Sequence, residues 1–206
     1  MSAKPQVSAQ NFFRRVKSLY THWKDTNKEF SDIDAICVQN GKDEESMKIK
    51  TTAVYVWLFG YEFLDSWLFF TKNGVIFLAS QKHISYIEHF NTEKGDFNLN
   101  LDLIVKDETD NSRNFETIKA KLEAESDLSS LKIGKLVKEK QVSAFSNEVE
   151  GFLQKLSPSY VEIGPLVQEC LCVKESDELE LVRKAGKVAV WFEDVIMEVE
   201  NIIDNE

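Results

Sequence analysis

The chain's imidazoles are His22, His83 and His89. A metal site carried on one helix needs two of them four residues apart, so that both project from one face. No pair has that spacing, and His83 and His89 would lie about 240° apart around a helix. Cys170 and Cys172 are separated by one residue and lack the second pair of a zinc site; with Cys37 they are expected to be reduced, buried thiols. No Gly-x-Ser-x-Gly elbow presents a serine nucleophile. Gly60/Gly74 and Gly134/Gly151 make neither a P-loop nor a dinucleotide fingerprint. Acidic residues are abundant, but solvated helix faces account for them as well as paired catalytic carboxylates would. The expectation is a chain with no catalytic, cofactor-binding or metal-binding residues. The aromatic run Trp57-Leu-Phe-Gly-Tyr-Glu-Phe63 has no interleaved Lys or Arg, which favours core packing over the stacking of nucleic-acid bases.

Charge narrows the possible partners. The net charge is −10, with 35 acidic against 25 basic residues. Nucleic-acid affinity comes largely from Lys and Arg neutralising phosphates, so direct binding to nucleic acid is not expected and a basic protein is the better electrostatic match. The opening residues lack the apolar stretch of a signal peptide, and no apolar run nears the roughly 18 residues that span a bilayer. A soluble, intracellular globular protein is therefore expected, with no membrane partner.

The elements follow from hydrophobic period. Phe12, Phe13, Val16, Leu19, Tyr20 and Trp23 recur at helical spacing behind Ser8, a candidate N-cap, with Arg14, Arg15, Lys17 and Lys24 read as the solvated face. Asp34–Val38 reads as a buried strand and Thr51–Gly60 as a helix closed by Gly60. Ser66–Thr71 and Val75–Ala79 flank Lys72-Asn73-Gly74, which predicts a central hairpin whose Asn-Gly turn takes positive φ. Ser80 then caps a short helix carrying Ile84, Ile87 and Phe90. Leu99–Leu103, Lys132–Val137 and Tyr160–Ile163 read as further strands, alternating with helices marked by Phe115, Ile118 and Leu122 and by Val149, Phe152, Leu153 and Leu156. From Asp177 an apolar series through Ile203 predicts one long final helix. This alternation indicates an α/β fold, a mixed β-sheet with flanking helices.

Trp57–Lys82, ending in Phe77-Leu-Ala-Ser80-Gln-Lys82, resembles the N-terminal domain of the large subunit of the FACT histone chaperone, which reorganises nucleosomes. The opening helix through Trp23, Ser31-Asp-Ile-Asp-Ala-Ile36 and the order of elements extend the resemblance along the chain. It implies a creatinase/aminopeptidase P N-terminal-lobe-like fold over residues 1–174. Lys174-Glu175-x-x-Glu178-Leu179-x-x-x-Arg183-Lys184-Ala185 is similar to the junction with the family's second, pita-bread lobe, so 175–206 would be that lobe's first helix. The resemblance further implies a nuclear, chromosomal, non-catalytic docking module serving transcription, replication and repair. It would bind histones weakly and salt-sensitively, and the other FACT subunit through other parts of the chain. An X-Pro metallopeptidase lobe and a purely structural lobe are the alternatives. Candidate partner contacts are Ser80, Lys82 and His83, where free first-turn amides could receive a carboxylate or peptide carbonyl. Asp32, Asp34 and Asp43-Glu44-Glu45 are candidate acceptors for histone Lys and Arg. An ordinary N-cap and a solvated loop are the competing readings.

Overall fold

The computed structural model describes residues 7–25, 30–42, 50–93, 98–139 and 143–204, in two compact units, Met1–Cys170 and Leu171–Glu206. Asp43, Glu44 and Glu45 lie outside the described residues.

Six strands form one mixed sheet: β1 (Ala35–Asn40), β2 (Ser66–Phe70), β3 (Gly74–Ala79), β4 (Asn100–Val105), β5 (Lys132–Lys135) and β6 (Ser159–Glu162), in the order β4-β3-β2-β1-β5-β6. Only β2 runs against its neighbours, so the other five strands end at the same edge of the sheet. The helices of this unit are α1 (Ala9–Trp23), α2 (Lys50–Phe59), α3 (Gln81–Ile87), α4 (Phe90–Glu93), α5 (Ser112–Glu125) and α6 (Ala144–Leu156), followed by α7 (Gly164–Cys172).

Alternation along β1, β2 and β3 divides the core into two layers. Cys37, Trp67, Phe69, Ile76 and Leu78 meet Phe115, Ile118 and Leu122 of α5 and Phe145, Val149 and Phe152 of α6. Phe115 and Phe152 stack there at 4.8 Å. On the opposite face Phe12 of α1 stacks on Phe59 of α2 at 4.9 Å, and Phe59 and Phe63 both reach Phe77 of β3. Strands covered on both faces explain why β2 and β3 read as continuous apolar runs.

Four expectations need correction. Arg15 is not on a solvated face: it is buried, and its guanidinium donates to the Trp57 carbonyl, one of the four carbonyls that the end of α2 leaves without an intrahelical partner. The hairpin does not turn on Asn-Gly: Gly74 already belongs to β3 and its carbonyl accepts from the Thr71 N–H at 2.8 Å, so the turn lies at Lys72-Asn73, and neither Asn73 nor Gly74 has positive φ. Gly74 is required for a different reason, because a Cβ there would stand 2.8 Å from the Asn100 carbonyl oxygen on β4. Cys172 is exposed, unlike Cys37 and Cys170. The helix α7 is absent from the sequence reading. Its apolar positions Leu166, Val167 and Cys170 span too few turns to show a period, although Pro165 sits where a first helical turn tolerates it.

The second unit is dominated by α8 (Ser176–Asp204), whose first turn holds Asp177 and Glu178 where the helix dipole favours negative charge. No α8 residue is buried; Trp191, Phe192, Ile196, Ile202 and Ile203 are each more than half exposed. Among the described residues no helix is long and apolar enough to cross a membrane.

Candidate functional site

Helix α2 ends at Gly60, whose φ of +71° costs a glycine little, and the chain then turns through Phe63 (φ 44°) and Asp65 (φ 56°) before entering β2. Positive φ is unusual for a residue as bulky as Phe. This backbone is held from both sides. The Asn40 Nδ2 donates to the Glu62 carbonyl at 2.6 Å, the Asp65 N–H donates to the Gly41 carbonyl at 2.9 Å, and the Phe63 ring is fully buried against Phe59 and Phe77.

The loop thereby places the Asp65 carboxylate at the carboxyl edge of the sheet, beside the ends of β3 and β4. Lys106, just after β4, donates to Asp65 Oδ2, and Lys42 lies 3.7 Å from the same oxygen. Asp65 Oδ1 is buried without a hydrogen-bond partner. Burial pushes this carboxyl toward the neutral form, but Lys106, with support from Ser143 and Lys42, outweighs it and holds the group below the usual carboxylate range. Opposite stands His83, packed edge-on to Phe63 at 5.3 Å and close to Tyr86, with its Nδ1 also buried and unpartnered. Burial, then Lys82 and Lys106, lowers its pKa, so the imidazole is neutral near physiological pH.

Asp65, His83 and Lys106 line a cleft of about 640 Å³ together with Ser80, Asn111 and the start of α6. Asn111 ties its floor, donating to Glu148 Oε2 at 2.9 Å and accepting from the Asp107 N–H at 3.0 Å. Two cations, Lys42 and Lys106, face four carboxylates, Asp65, Asp107, Glu108 and Glu148. Such a surface is suited to accept cationic and hydrogen-bond-donating groups. Among the described residues no cluster of three or more His, Cys, Asp or Glu could hold a metal ion.

The structure brings Ser80 and His83 to this cleft and leaves Lys82 exposed one residue away. The Ser80 hydroxyl accepts from the His83 N–H at 3.3 Å, as an N-cap does, so one of the first-turn amides is already occupied. Asp32 and Asp34 are not brought to the cleft. They precede β1, at the other edge of the sheet. Asp34 accepts from Lys72 Nζ at 2.6 Å, from the Lys132 N–H at 3.0 Å and from Ser126 at 3.2 Å. Burial opposes its ionisation, but these donors prevail and lower its pKa. Asp34 therefore ties the hairpin loop to β5, and Asp32 pairs with Lys132 at the surface. Sequence reasoning missed Asp65 and Lys106. The visible trace of Asp65 is its position just before an apolar strand, which many loop residues share.

The sequence model described as FACT complex subunit SPT16 N-terminal lobe domain matches residues 7–165. Among curated relatives, the FACT complex subunit SPT16 of Mycosarcoma maydis is 27% identical over 197 residues, covering 92% of this chain and 19% of that protein. The FACT complex subunit spt-16 of Caenorhabditis briggsae is 32% identical over 183 residues, covering 86% of this chain and 17% of the relative. The chain thus spans about a fifth of the length of the curated relatives it matches. Among solved structures, the N-terminal domain of FACT complex subunit SPT16 from Cicer arietinum has a TM-score of 0.84 at 24% identity, covering 98% of this chain and 47% of that one. The Xaa-Pro dipeptidase of Bacillus anthracis shares the fold at a TM-score of 0.53 and 13% identity, covering 90% of this chain and 43% of the dipeptidase. The match over residues 7–165, on a mixed six-stranded sheet with the expected creatinase-like architecture, decides the matter: this chain belongs to the FACT complex subunit SPT16 N-terminal lobe family.

Proposed function

We propose that this chain is a non-catalytic histone-docking module of a FACT-type histone chaperone, acting in the nucleus on chromatin. The observation that carries the reading is the family match over residues 7–165, with relatives named as subunits of the FACT complex. The cleft beside Ser80 and His83 supplies a surface of suitable sign, with four carboxylates against two lysines and a buried acceptor, Asp65 Oδ1, that has no partner. Histone Lys and Arg side chains are donors only, which matches a cleft rich in acceptors. Binding would be weak and screened by salt, because Lys82, Asp107 and Glu108 are exposed to solvent. Association with the other FACT subunit is assigned to parts of the longer protein beyond this lobe.

A pull-down of core histones by the 206-residue chain, compared with its Lys82→Glu variant, tests the docking site. Charge reversal at an exposed residue should change histone retention without moving the melting temperature. Unchanged retention would remove Lys82 from the contact. Incubation with X-Pro peptides and added Mn²⁺, Co²⁺ or Zn²⁺ should release no product. Metal-dependent turnover surviving repurification would replace docking with the peptidase alternative.

A further inference from the structure

A second recess lies at the same edge of the sheet, between the carboxyl ends of β1 and β5. Here the topology switches. The chain builds the sheet from β1 through β2 and β3 to β4, then returns past β1 to add β5 and β6 on its other side. The helix that follows β1 packs on one face of the sheet and the helix that follows β5 on the other, which opens a crevice where ligands of α/β sheets commonly bind. The β1–β5 pairing stops at Cys37 and Lys135, so the last residues of β1 line the opening. The recess measures about 370 Å³, within the range of ligand sites.

Its buried polar side-chain atoms are paired, with one exception. Glu139 accepts from the N–H groups of Lys50 at 2.7 Å and Thr51 at 3.0 Å, capping α2. Lys135 donates to Glu150 Oε2 and lies 5.2 Å from the centre of the Tyr160 ring. Cys37 accepts from the Trp67 indole at 2.9 Å, and burial pushes its thiol up to about 12, so it is no nucleophile. The exception is at Gln39, a lining residue only 8% exposed, whose buried Nε2 has no hydrogen-bond partner. A buried amide donor left unpaired is costly, and an acceptor oxygen on a bound molecule would relieve it. One lysine against two glutamates disfavours an anion as the source of that oxygen. A neutral carbonyl attached to a cationic group suits both features, and a basic peptide is the chemical class that provides it.

We propose that this recess binds a short peptide segment bearing lysine or arginine. A peptide carbonyl accepts from Gln39 Nε2, and the cationic head competes with Lys135 for Glu150 beside Tyr160. The assignment deepens the histone-docking reading and rests on it for the natural source of the peptide.

The test uses the ¹⁵N-labelled 206-residue chain and three capped tripeptides, Ala-Lys-Ala, Ala-Ala-Ala and Ala-Glu-Ala. Millimolar Ala-Lys-Ala is expected to shift the Gln39 side-chain amide resonances in NMR spectra, and Ala-Glu-Ala to leave them in place. Gln39→Leu should weaken binding of Ala-Lys-Ala about tenfold, the effect of losing one hydrogen bond to a buried donor, without lowering the melting temperature. Glu150→Gln should remove the preference for Ala-Lys-Ala over Ala-Ala-Ala. An unmoved Gln39 amide in the unsubstituted chain, or equal binding of the glutamate peptide, overturns the proposal whether or not the variants fold. If core histones bind the chain while Ala-Lys-Ala leaves Gln39 unmoved, the recess assignment fails and the docking reading stands. If Ala-Lys-Ala binds and histones do not, the docking reading fails and the recess assignment stands.

Discussion

Both lysines of the cleft contact the carboxylate of Asp65, a residue that neither type nor spacing announced. The Asp65 and Lys106 side chains are 10% and 14% exposed, so removing one charge strands the other in a poorly solvated position. Asp65→Asn keeps a side chain that tolerates positive φ and is expected to cost about 3 kcal/mol, read from the urea midpoint. Adding Lys106→Met to Asp65→Asn should recover much of that loss; no recovery would mean that the pair is not the origin of the cost. Asp65 and Asp34 also set a pH dependence. Both are held below the ordinary carboxylate range in the folded chain, so the unfolded chain binds their protons first. Their contribution is complete above about pH 5 and declines as pH falls below about 4 and through the folded-state values. Asp34→Asn should flatten this acid limb in urea titrations; an unaltered limb would show that Asp34 does not contribute. Asp65 was hard to read because a lone Asp in a loop has no period, and the role of Asp34 because its partners, Lys72 and Lys132, lie far along the chain. By contrast, Ser80 was legible as a cap, since an apolar strand ends just before it and helical spacing begins just after it.

The elements were largely written in hydrophobic period: the two apolar runs of the hairpin became adjacent central strands, and the spacing of Phe12 through Trp23 became the buried face of α1. Interactions that cross between elements were not legible. Arg15 reaching the end of α2 and Gly74 lying against β4 depend on pairings that no local window contains. Gly74→Ala is therefore expected to destabilise by about 2 kcal/mol, because the atom it meets is backbone that must move with its strand. A melting temperature equal to the unsubstituted chain's would refute that contact. The helix α8 poses the opposite case, a clear apolar series with every residue outside the core. Such a helix draws most of its stability from tertiary burial, so its amides beyond about Lys187 should exchange fastest among the long helices unless self-association protects them. Ending the chain near Lys174 should leave the melting temperature of the sheet unit unchanged and abolish any concentration-dependent sedimentation. Unfolding of the truncated chain would make α8 integral to the lobe and overturn the assignment of 175–206 to a separate one.

For the molecule as a whole, the fold and the function stand on different supports. The mixed sheet with helices on both faces is a fold that an Xaa-Pro dipeptidase shares, so architecture alone does not distinguish docking from peptide hydrolysis. The proposed docking role draws its support from the family to which residues 7–165 belong, and a net charge of −10 with a carboxyl edge where carboxylates outnumber lysines in both recesses is compatible with a basic partner. A docking surface of this kind acts through screened attraction, with a Debye length of about 8 Å at physiological ionic strength. The most direct measurement is calorimetric titration of the chain with core histones, and separately with duplex DNA, across a series of salt concentrations. The docking account predicts saturable histone binding that weakens steadily as salt rises, and DNA binding weaker than histone binding at every salt concentration. Histone binding that does not change with salt, or duplex DNA bound more tightly than histones, would contradict it.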